Sequence, residues 1–317
     1  MTDMLTSLPT LSLAMQDSDP EAFAQAFGDS FRTFGFAVIA DHGVDRALID
    51  TAWDQTRQLF DLPEAVKRSY YTSELAGQRG YTPFGTEIAK DAAHVDLKEF
   101  WHIGRDLPPA HRFRDHMPDN LWPAELPEFR ATFEAMYAAF DAVGNRLLSA
   151  IARYLGLAPD WFDPAVAYGN SVMRLLHYPP IPKDAPGIRA GAHGDINLIT
   201  LLLGAEEGGL QLLTRQGEWL SITPPEGAMV INCGDMLERL TNTHLPATIH
   251  RVLNPPPERR HIPRYSMPFF LHLASDFQIE TLPGCVDADH PNLYPEPISA
   301  NDFLVERLID IGLKKKA

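Results

Sequence analysis

Apolar positions recur at helical spacing in two segments near the N-terminus. Residues 20–34 place phenylalanines and alanines on one helical face. Asp19 precedes this segment as a suitable N-cap, and Pro20 occupies a favoured first helical position. Residues 45–61 repeat the apolar spacing. The pattern predicts a helix in each segment.

The longest predicted helix covers residues 127–155. Pro127 stands at its start, and Gly156 follows its end as a C-terminal cap. Another amphipathic helix is predicted over residues 299–312, followed by a short basic tail.

Short apolar runs replace helical spacing in the rest of the chain. GFAVIADHG (35–43) predicts a strand that ends in a turn. Glycines and prolines interrupt residues 72–122, which predicts loops around short strands. After about residue 168, runs such as SVMRLLHY, LITLLL, AMVI and YSMPFFLHL alternate with turn signals. This spacing is typical of a sandwich or barrel, so the predicted fold class is mainly β with flanking α-helices.

Composition narrows the function classes. The 317 residues are 45% hydrophobic and 22% charged, an ordinary globular balance, and the net charge is −15. An acidic surface repels phosphate polymers and anionic membranes, so neither nucleic acid nor a membrane is expected as a partner. Cys233 and Cys285 alone cannot form a disulfide scaffold. The sequence shows no export leader and no run of ~20 apolar residues. We therefore expect a cytoplasmic protein, with no protein partner implied.

Histidines and carboxylates offer metal chemistry, whereas GxxxxGK[ST], GxGxxG and GxSxG motifs are absent. His193 and Asp195 have the i, i+2 spacing that puts two side chains on one face of a strand. His250, within ATIHRVL, can supply a third ligand from another strand. Two imidazoles and one carboxylate form the set that binds non-haem Fe(II) with open positions.

Weaker signals receive structural interpretations. The second His-x-Asp pair, His94 and Asp96, lacks a comparable partner strand, and we expect it to be solvated or locally paired. Residues 234–235, with Asn232, predict a hairpin turn outside any site. Cys233 is expected to be a small core residue.

Arg264 and Ser266 share one face of a predicted strand. A buried arginine requires an anion, and its planar fork suits a carboxylate, to which a serine hydroxyl can also donate. The alternative is a salt bridge to a protein carboxylate or a surface arginine.

Taken together, HGD (193–195), HRV (250–252) and RYSMPFF (264–270) resemble motifs of the Fe(II)/2-oxoglutarate-dependent dioxygenases, in their isopenicillin N synthase-like branch. GFAVIADHGV (35–44) and MRLLHYPP (173–180) are also similar to this family, so the resemblance covers nearly the whole chain.

The resemblance implies a double-stranded β-helix, or jelly-roll, core of the cupin-like kind. It implies a helical and mixed N-terminal region over 1–120 and a long helix with the core over 121–317, together one catalytic unit. It also implies that His193, Asp195 and His250 bind Fe(II), and that Arg264 and Ser266 hold the far carboxylate of 2-oxoglutarate.

Tyr178 matches a family tyrosine that contacts the same co-substrate. The family often has asparagine two residues earlier, where this chain has Leu176. Either another group assists the co-substrate, or Tyr178 is a packed strand residue.

The implied reaction consumes O2 and 2-oxoglutarate, releases succinate and CO2, and oxidises a small organic molecule, with hydroxylation the usual outcome. The family places substrate-facing segments at 78–90 and 98–105. Candidate substrate residues are Arg79, Tyr81, Glu99, Trp101, His102, Asn197 and Phe270. Arg79 and Arg105 would suit an anionic substrate.

Two alternatives remain open from the sequence. A 2-oxoglutarate-independent Fe(II) oxidase, as in isopenicillin N synthase, would use Arg264 for a substrate carboxylate. A non-catalytic jelly-roll binding protein would retain the three ligands without turnover. A hydrolytic zinc site lacks an obvious general-base carboxylate near the ligands in the sequence.

Overall fold

Two β-sheets lie face to face, and helices cover the outer side of the larger sheet. The computed structural model describes residues 8–72, 77–87, 95–182, 185–204 and 208–310. The strands are β1 (Thr10–Ser12), β2 (Phe36–Ala40), β3 (Gly80–Thr82), β4 (Glu99–Gly104), β5 (Val172–Tyr178), β6 (Ala190–His193), β7 (Ile199–Leu203), β8 (Leu210–Leu213), β9 (Trp219–Ser221), β10 (Met229–Cys233), β11 (His250–Val252), β12 (Arg264–Leu271), β13 (Gln278–Ile279) and β14 (Ile298–Ser299). The helices are α1 (Met15–Ser18), α2 (Pro20–Phe34), α3 (Arg46–Asp61), α4 (Glu64–Ser69), α5 (Phe129–Tyr154), α6 (Asp163–Val166), α7 (Asp235–Leu240) and α8 (Ala300–Asp310).

The larger sheet has eight strands in the order β1-β2-β10-β7-β12-β5-β4-β3, and the smaller has four in the order β6-β11-β8-β9. Strands that are adjacent in one sheet are often distant in the sequence, as where β10 lies between β2 and β7. This is the double-stranded β-helix, so the predicted fold class is confirmed.

Side-chain alternation along the strands divides the core into two layers. Phe27 of α2 and Phe133 of α5 pack with Leu201 on the helix-covered face of the larger sheet. Leu176 and Leu212 belong to a second cluster between the two sheets. Burying one such side chain contributes about 1.5–3 kcal/mol. The second cluster forms one wall of the site described below.

Local sequence signals placed the helix ends well. The Asp19 carboxylate accepts a hydrogen bond from the Ala22 backbone N–H at 3.0 Å and caps α2. Gly156 adopts a φ of 71° after α5, a conformation that favours glycine. The Ser299 hydroxyl accepts from the Asp302 backbone N–H at the start of α8. The last two positions predicted for this helix and the basic tail lie outside the described residues.

None of the helices in the described part of the chain combines the length and hydropathy needed to cross a bilayer.

Candidate active site

Three side chains predicted as metal ligands meet at one end of the smaller sheet. His193 ends β6 and His250 begins β11, and the two residues are paired directly across these antiparallel strands. Asp195 follows two residues after His193. One ligand atom from each side chain lies within 4.8 Å of the other two. The register of one strand pair therefore brings together residues that are distant in the sequence.

Backbone carbonyls orient both imidazoles. His193 Nδ1 lies 2.7 Å from the Gly191 carbonyl oxygen, and His250 Nδ1 lies 3.2 Å from that of Thr248. Because only a protonated Nδ1 can donate to a carbonyl, this tautomer leaves the Nε2 lone pair for a ligand bond. The Nε2 atoms of His193 and His250 lie 4.0 and 3.9 Å from Asp195 Oδ1.

The Asp195 carboxylate is held through its other oxygen. Oδ2 accepts from the Thr200 hydroxyl at 2.5 Å and from the Asn232 amide at 2.8 Å. Oδ1 is thereby directed toward the two histidines. Burial raises the pKa of Asp195, but His250, His193 and these hydrogen bonds outweigh it and leave that pKa below its usual value. Burial and the neighbouring His250 lower the pKa of His193 to about 4. The site is thus biased toward a neutral imidazole and an anionic carboxylate, the protonation states that bind metal.

The start of α7 fixes the backbone that carries Asp195. The backbone N–H groups of Gly234 and Asp235 donate to the carbonyls of Leu198 and Asp195 at 3.0 and 2.8 Å. A Cβ on Gly234 would lie 2.1 Å from the Asn197 carbonyl oxygen, so this contact requires glycine. The predicted hairpin turn at 234–235 is therefore wrong. These residues open a helix whose unpaired N–H groups bond to the ligand-bearing segment.

The donor set suits a divalent transition metal. It combines two imidazole nitrogens and one carboxylate oxygen, all oriented by neighbouring groups and clustered in one place. Asn232 was also missed as a site residue, because its partner Asp195 is distant in the sequence. The residues present fit a 2-His-1-carboxylate iron centre.

A narrow pocket between the sheets adjoins this centre and includes His193 and Asp195 in its wall. Arg264, Ser266 and Tyr178 line the same pocket, and all three are buried. Arg264 Nη1 donates to the Ser266 hydroxyl oxygen at 3.2 Å, and its guanidinium carbon lies 5.0 Å from the centroid of the Tyr178 ring. Arg264 and Tyr178 are paired across β12 and β5, which explains why they meet.

A cavity of about 560 Å³ also borders the metal ligands. Of the candidate substrate residues, Arg79, His102, Asn197 and Phe270 line it together with His193 and Asp195. Leu304 and Arg307 of α8 also contribute to its wall.

Tyr81, Glu99 and Trp101 do not line this cavity. Trp101 lies among Tyr70 and Phe129, with ring centroids 5.3 and 6.0 Å away. Glu99 and Trp101 differ from His102 because alternate side chains of β4 point to opposite faces of the sheet. Tyr81 is paired with Trp101 on the neighbouring strand β3. These three side chains pack on the outer face of the larger sheet. Arg105 likewise lies elsewhere, in an ion pair with Asp141.

Lys98 and Arg174 are cavity residues that the sequence interpretation missed. Lys98 Nζ contacts Glu87 Oε2 at 2.9 Å and Asp96 Oδ2 at 2.8 Å. Burial lowers the pKa of Lys98, but these two carboxylates outweigh it and raise that pKa above its usual value. Arg174 bonds Glu87 through both terminal nitrogens at 3.3 Å. For Arg174 the available signal was a charged residue inside the otherwise apolar strand β5.

Arg174 is also fixed by aromatic and imidazole neighbours. Its guanidinium carbon lies 4.2 Å from the Phe100 ring centroid and 5.3 Å from that of Phe270. Its Nε donates to His102 Nε2 at 2.5 Å, while His102 Nδ1 lies 2.5 Å from the Gly77 carbonyl. His102 is therefore a neutral imidazole with both nitrogens occupied. Burial and Arg174 lower its pKa well below the usual value.

Of the second His-x-Asp pair, His94 lies outside the described residues. Asp96 is buried and paired with Lys98, as expected of a locally paired residue, and its Oδ1 also accepts from the Gly191 backbone N–H at 2.9 Å. Cys233 is a buried core residue, as predicted.

Comparison with protein families gives two matches along the chain. Residues 8–125 match the N-terminal model of a non-haem dioxygenase in morphine synthesis. Residues 169–273 match the 2OG-Fe(II) oxygenase superfamily.

Curated relatives carry corresponding names. The 2-oxoglutarate-Fe(II) type oxidoreductase hxnY of Emericella nidulans is 34% identical, over 85% of this chain and 79% of that protein. The proline hydroxylase buaE of Petromyces alliaceus is 31% identical, over 91% of this chain and 93% of that protein.

Solved structures agree. A 2OG-Fe(II) oxygenase family protein from Caulobacter crescentus superimposes with a TM-score of 0.91 at 58% identity, covering 96% of this chain and 99% of the other. A full-length Neurospora crassa protein in complex with α-ketoglutarate and thymine superimposes with a TM-score of 0.85 at 28% identity, covering 97% and 98%. That relative therefore binds a small molecule together with the co-substrate.

Proposed function

This chain belongs to the 2-oxoglutarate–Fe(II) oxygenase superfamily, and on that premise we propose that it oxidises a small polar molecule in the cavity beside His193, Asp195 and His250. The protein is a 2-oxoglutarate-dependent dioxygenase, with Fe(II) and 2-oxoglutarate as its cofactor and co-substrate. A 2-oxoglutarate-independent oxidase and a non-catalytic binding protein are not supported. The roles of individual residues and the substrate class form the proposal.

His193, Asp195 and His250 would hold the iron. The Gly191 and Thr248 carbonyls fix the imidazole tautomers, and Thr200 with Asn232 fixes the carboxylate. When bound, the iron and 2-oxoglutarate supply dioxygen activation coupled to release of succinate and CO2.

Arg264 would anchor the far carboxylate of 2-oxoglutarate, assisted by Ser266, with Tyr178 bordering the same pocket. Arg264 is 4% exposed, and a carboxylate there would be stabilised by charge-assisted hydrogen bonds. One observation carries the proposal: this arginine pocket and the metal ligands share a wall.

The substrate would lie in the 560 Å³ cavity, a size within the usual range for small-molecule sites. Arg174 borders both this cavity and the co-substrate pocket. Its hydrogen bonds to Glu87 and His102 engage three of its five N–H groups. The remaining donors suit a substrate carbonyl or carboxylate, and Phe270 offers an apolar surface for a ring.

We also propose that regions 1–120 and 121–317 act as one catalytic unit. Strands β3 and β4 of the first region complete the sheet that carries Arg264 in the second. Lys98 from the first region lines both the cavity and the co-substrate pocket.

Anaerobic reconstitution tests the proposal. Metal-free protein receives Fe(II) and then 2-oxoglutarate, and the visible charge-transfer band of the chelated keto acid is recorded before air is admitted and succinate assayed. We expect a band and slow succinate release in the wild type, and neither in Asp195→Ala. Iron binding without a band would contradict the role of the Arg264 pocket. Absence of iron binding would contradict the three-ligand centre.

A further inference from the structure

A buried polar cluster lies on the outer face of the larger sheet, behind the co-substrate pocket. Glu99 stands at its centre on β4. Its Oε1 lies 2.7 Å from His177 Nδ1, and its Oε2 accepts from Lys67 Nζ at 2.9 Å and from the Tyr81 hydroxyl. One carboxylate thus joins α4, β3 and β5 to β4.

The cluster is charged as well as buried. Glu99 and Lys67 are 5% and 6% exposed. Burial raises the pKa of Glu99, but hydrogen bonds from His177, Tyr81 and Lys67 outweigh it and keep that pKa below its usual value. Removing one partner of such a buried ion pair is strongly destabilising, since it leaves an uncompensated charge.

His177 extends the cluster to the next strand. Its ring stacks on Tyr265 of β12, with centroids 4.7 Å apart and an interplanar angle of 12°. In the sheet register, His177 is paired with Glu99 on one side and with Tyr265 on the other. Three adjacent strands are therefore linked at one level of the sheet.

The residues that flank this level point toward the pocket. Arg264 and Ser266 flank Tyr265 along β12, and they are paired with Tyr178 and Leu176, which flank His177 along β5. Because side chains alternate between the two faces, a rotation of β5 or β12 at His177 or Tyr265 also turns the neighbouring pocket residues.

From this arrangement we infer that Glu99 and His177 are positioning residues for the co-substrate site. By holding Tyr265 on the outer face, they set the direction and depth at which Arg264 reaches the co-substrate. The inference rests on the proposed role of Arg264. It predicts that the distance between metal and anchor, and hence the preferred length of the keto acid, depends on two residues that touch neither.

The experiment measures keto-acid dissociation constants by anaerobic titration of the visible band in Fe(II)-loaded protein. It compares 2-oxoglutarate with 2-oxoadipate, which is one methylene longer. The test variants are His177→Phe, which keeps a ring beside Tyr265, and Glu99→Gln. Asp141→Asn, which breaks the distant ion pair with Arg105, is the matched control.

We expect both test variants to weaken 2-oxoglutarate binding on the order of tenfold, the effect typical of losing a group that orients a binding residue. We expect a smaller change in the dissociation constant of 2-oxoadipate, so the ratio of the two dissociation constants should move closer to one. The control should leave both constants unchanged. Should Glu99→Gln fail to fold, His177→Phe decides alone.

Lower thermal stability in His177→Phe, with both dissociation constants and their ratio unchanged, would overturn the inference and leave a purely structural cluster. Arg264→Gln separates this result from failure of the proposed function. If Arg264→Gln binds 2-oxoglutarate as tightly as the wild type, the assigned anchor itself is wrong.

Discussion

His193 and His250 face each other across the β6–β11 pair, with ring centroids 4.4 Å apart and planes inclined by 51°. Strand register thus assembles two of the three ligands, and the short segment after β6 supplies Asp195. His250→Ala should lower Co(II) affinity by about 100-fold or more, because only two of three ligands remain. Calorimetric Co(II) titration measures the change.

The control for this substitution is His42→Ala. His42 is also buried but bonds the Gly227 carbonyl, outside the metal site. Equal Co(II) affinity in the two variants would refute the ligand assignment.

The Thr200 hydroxyl is expected to tune the metal site without touching the metal. Thr200→Val removes its hydrogen bond to Asp195 Oδ2 and preserves side-chain shape, so Co(II) affinity should fall on the order of tenfold. Thr56→Val removes a buried hydroxyl that donates to the Ala52 carbonyl on α3, and it should leave the affinity unchanged. Wild-type affinity in Thr200→Val would show that Asn232 alone orients the carboxylate.

A side chain at Gly234 should destabilise the protein. Gly234→Ala places a Cβ against the Asn197 carbonyl, and we expect a loss of about 1–3 kcal/mol in the free energy of unfolding. Urea denaturation measures it. A Cβ at Gly284 meets no atom within 4 Å, so Gly284→Ala should be nearly neutral. Equal free energies of unfolding for the two variants would mean that the contact between Gly234 and the Asn197 carbonyl does not require glycine.

His272 should make the metal-free protein sensitive to acid. Burial lowers the pKa of His272 to about 4. The pKa of a histidine in the unfolded chain is near 6.5, so between pH 4 and pH 6.5 the unfolded state binds more protons than the folded state. The free energy of unfolding therefore has its full value above about pH 6.5 and falls as the pH is lowered toward 4. The loss for this group is about 2–3 kcal/mol. His272→Leu should reduce the difference in the free energy of unfolding between pH 7.5 and pH 4.5 by that amount, as measured by denaturation. If wild type and His272→Leu lose the same free energy of unfolding between these pH values, a group other than His272 causes the acid sensitivity.

Arg174 should govern substrate affinity. In a screen of small carboxylates and cyclic amides, a compound that stimulates succinate release should show a KM raised about tenfold or more in Arg174→Lys, which loses the planar fork and aromatic contacts. Arg105→Lys, in the Asp141 ion pair, is the matched control. If the KM changes in Arg105→Lys and not in Arg174→Lys, the substrate does not bind in the proposed cavity.

Much of the architecture was predictable because its causes are local. The capping of α2 by Asp19 and the end of α5 at Gly156 depend on residues within one turn of the helix. The metal ligands were predictable for a related reason, since His193 and Asp195 occupy the i, i+2 spacing and few residue types bind metal.

The errors arose where the deciding contact is distant in the sequence. Asp235 begins a helix, and its backbone N–H donates to the Asp195 carbonyl. The turn propensity of the residues around position 235 carries no information about this distant contact. Glu99 and His102, three positions apart on β4, lie on opposite sides of a sheet, and the face on which each lies is set by the register with β5.

The sequence alone thus determined the fold class, the ends of the long helices and the residues of the candidate metal site, because residue type and short-range spacing govern these. Only the tertiary structure decided that Arg174 and Lys98 line the cavity while Glu99 joins a cluster behind Arg264. The physical reason is that burial and partner choice depend on which strands become neighbours, and strand pairing joins residues across long stretches of chain.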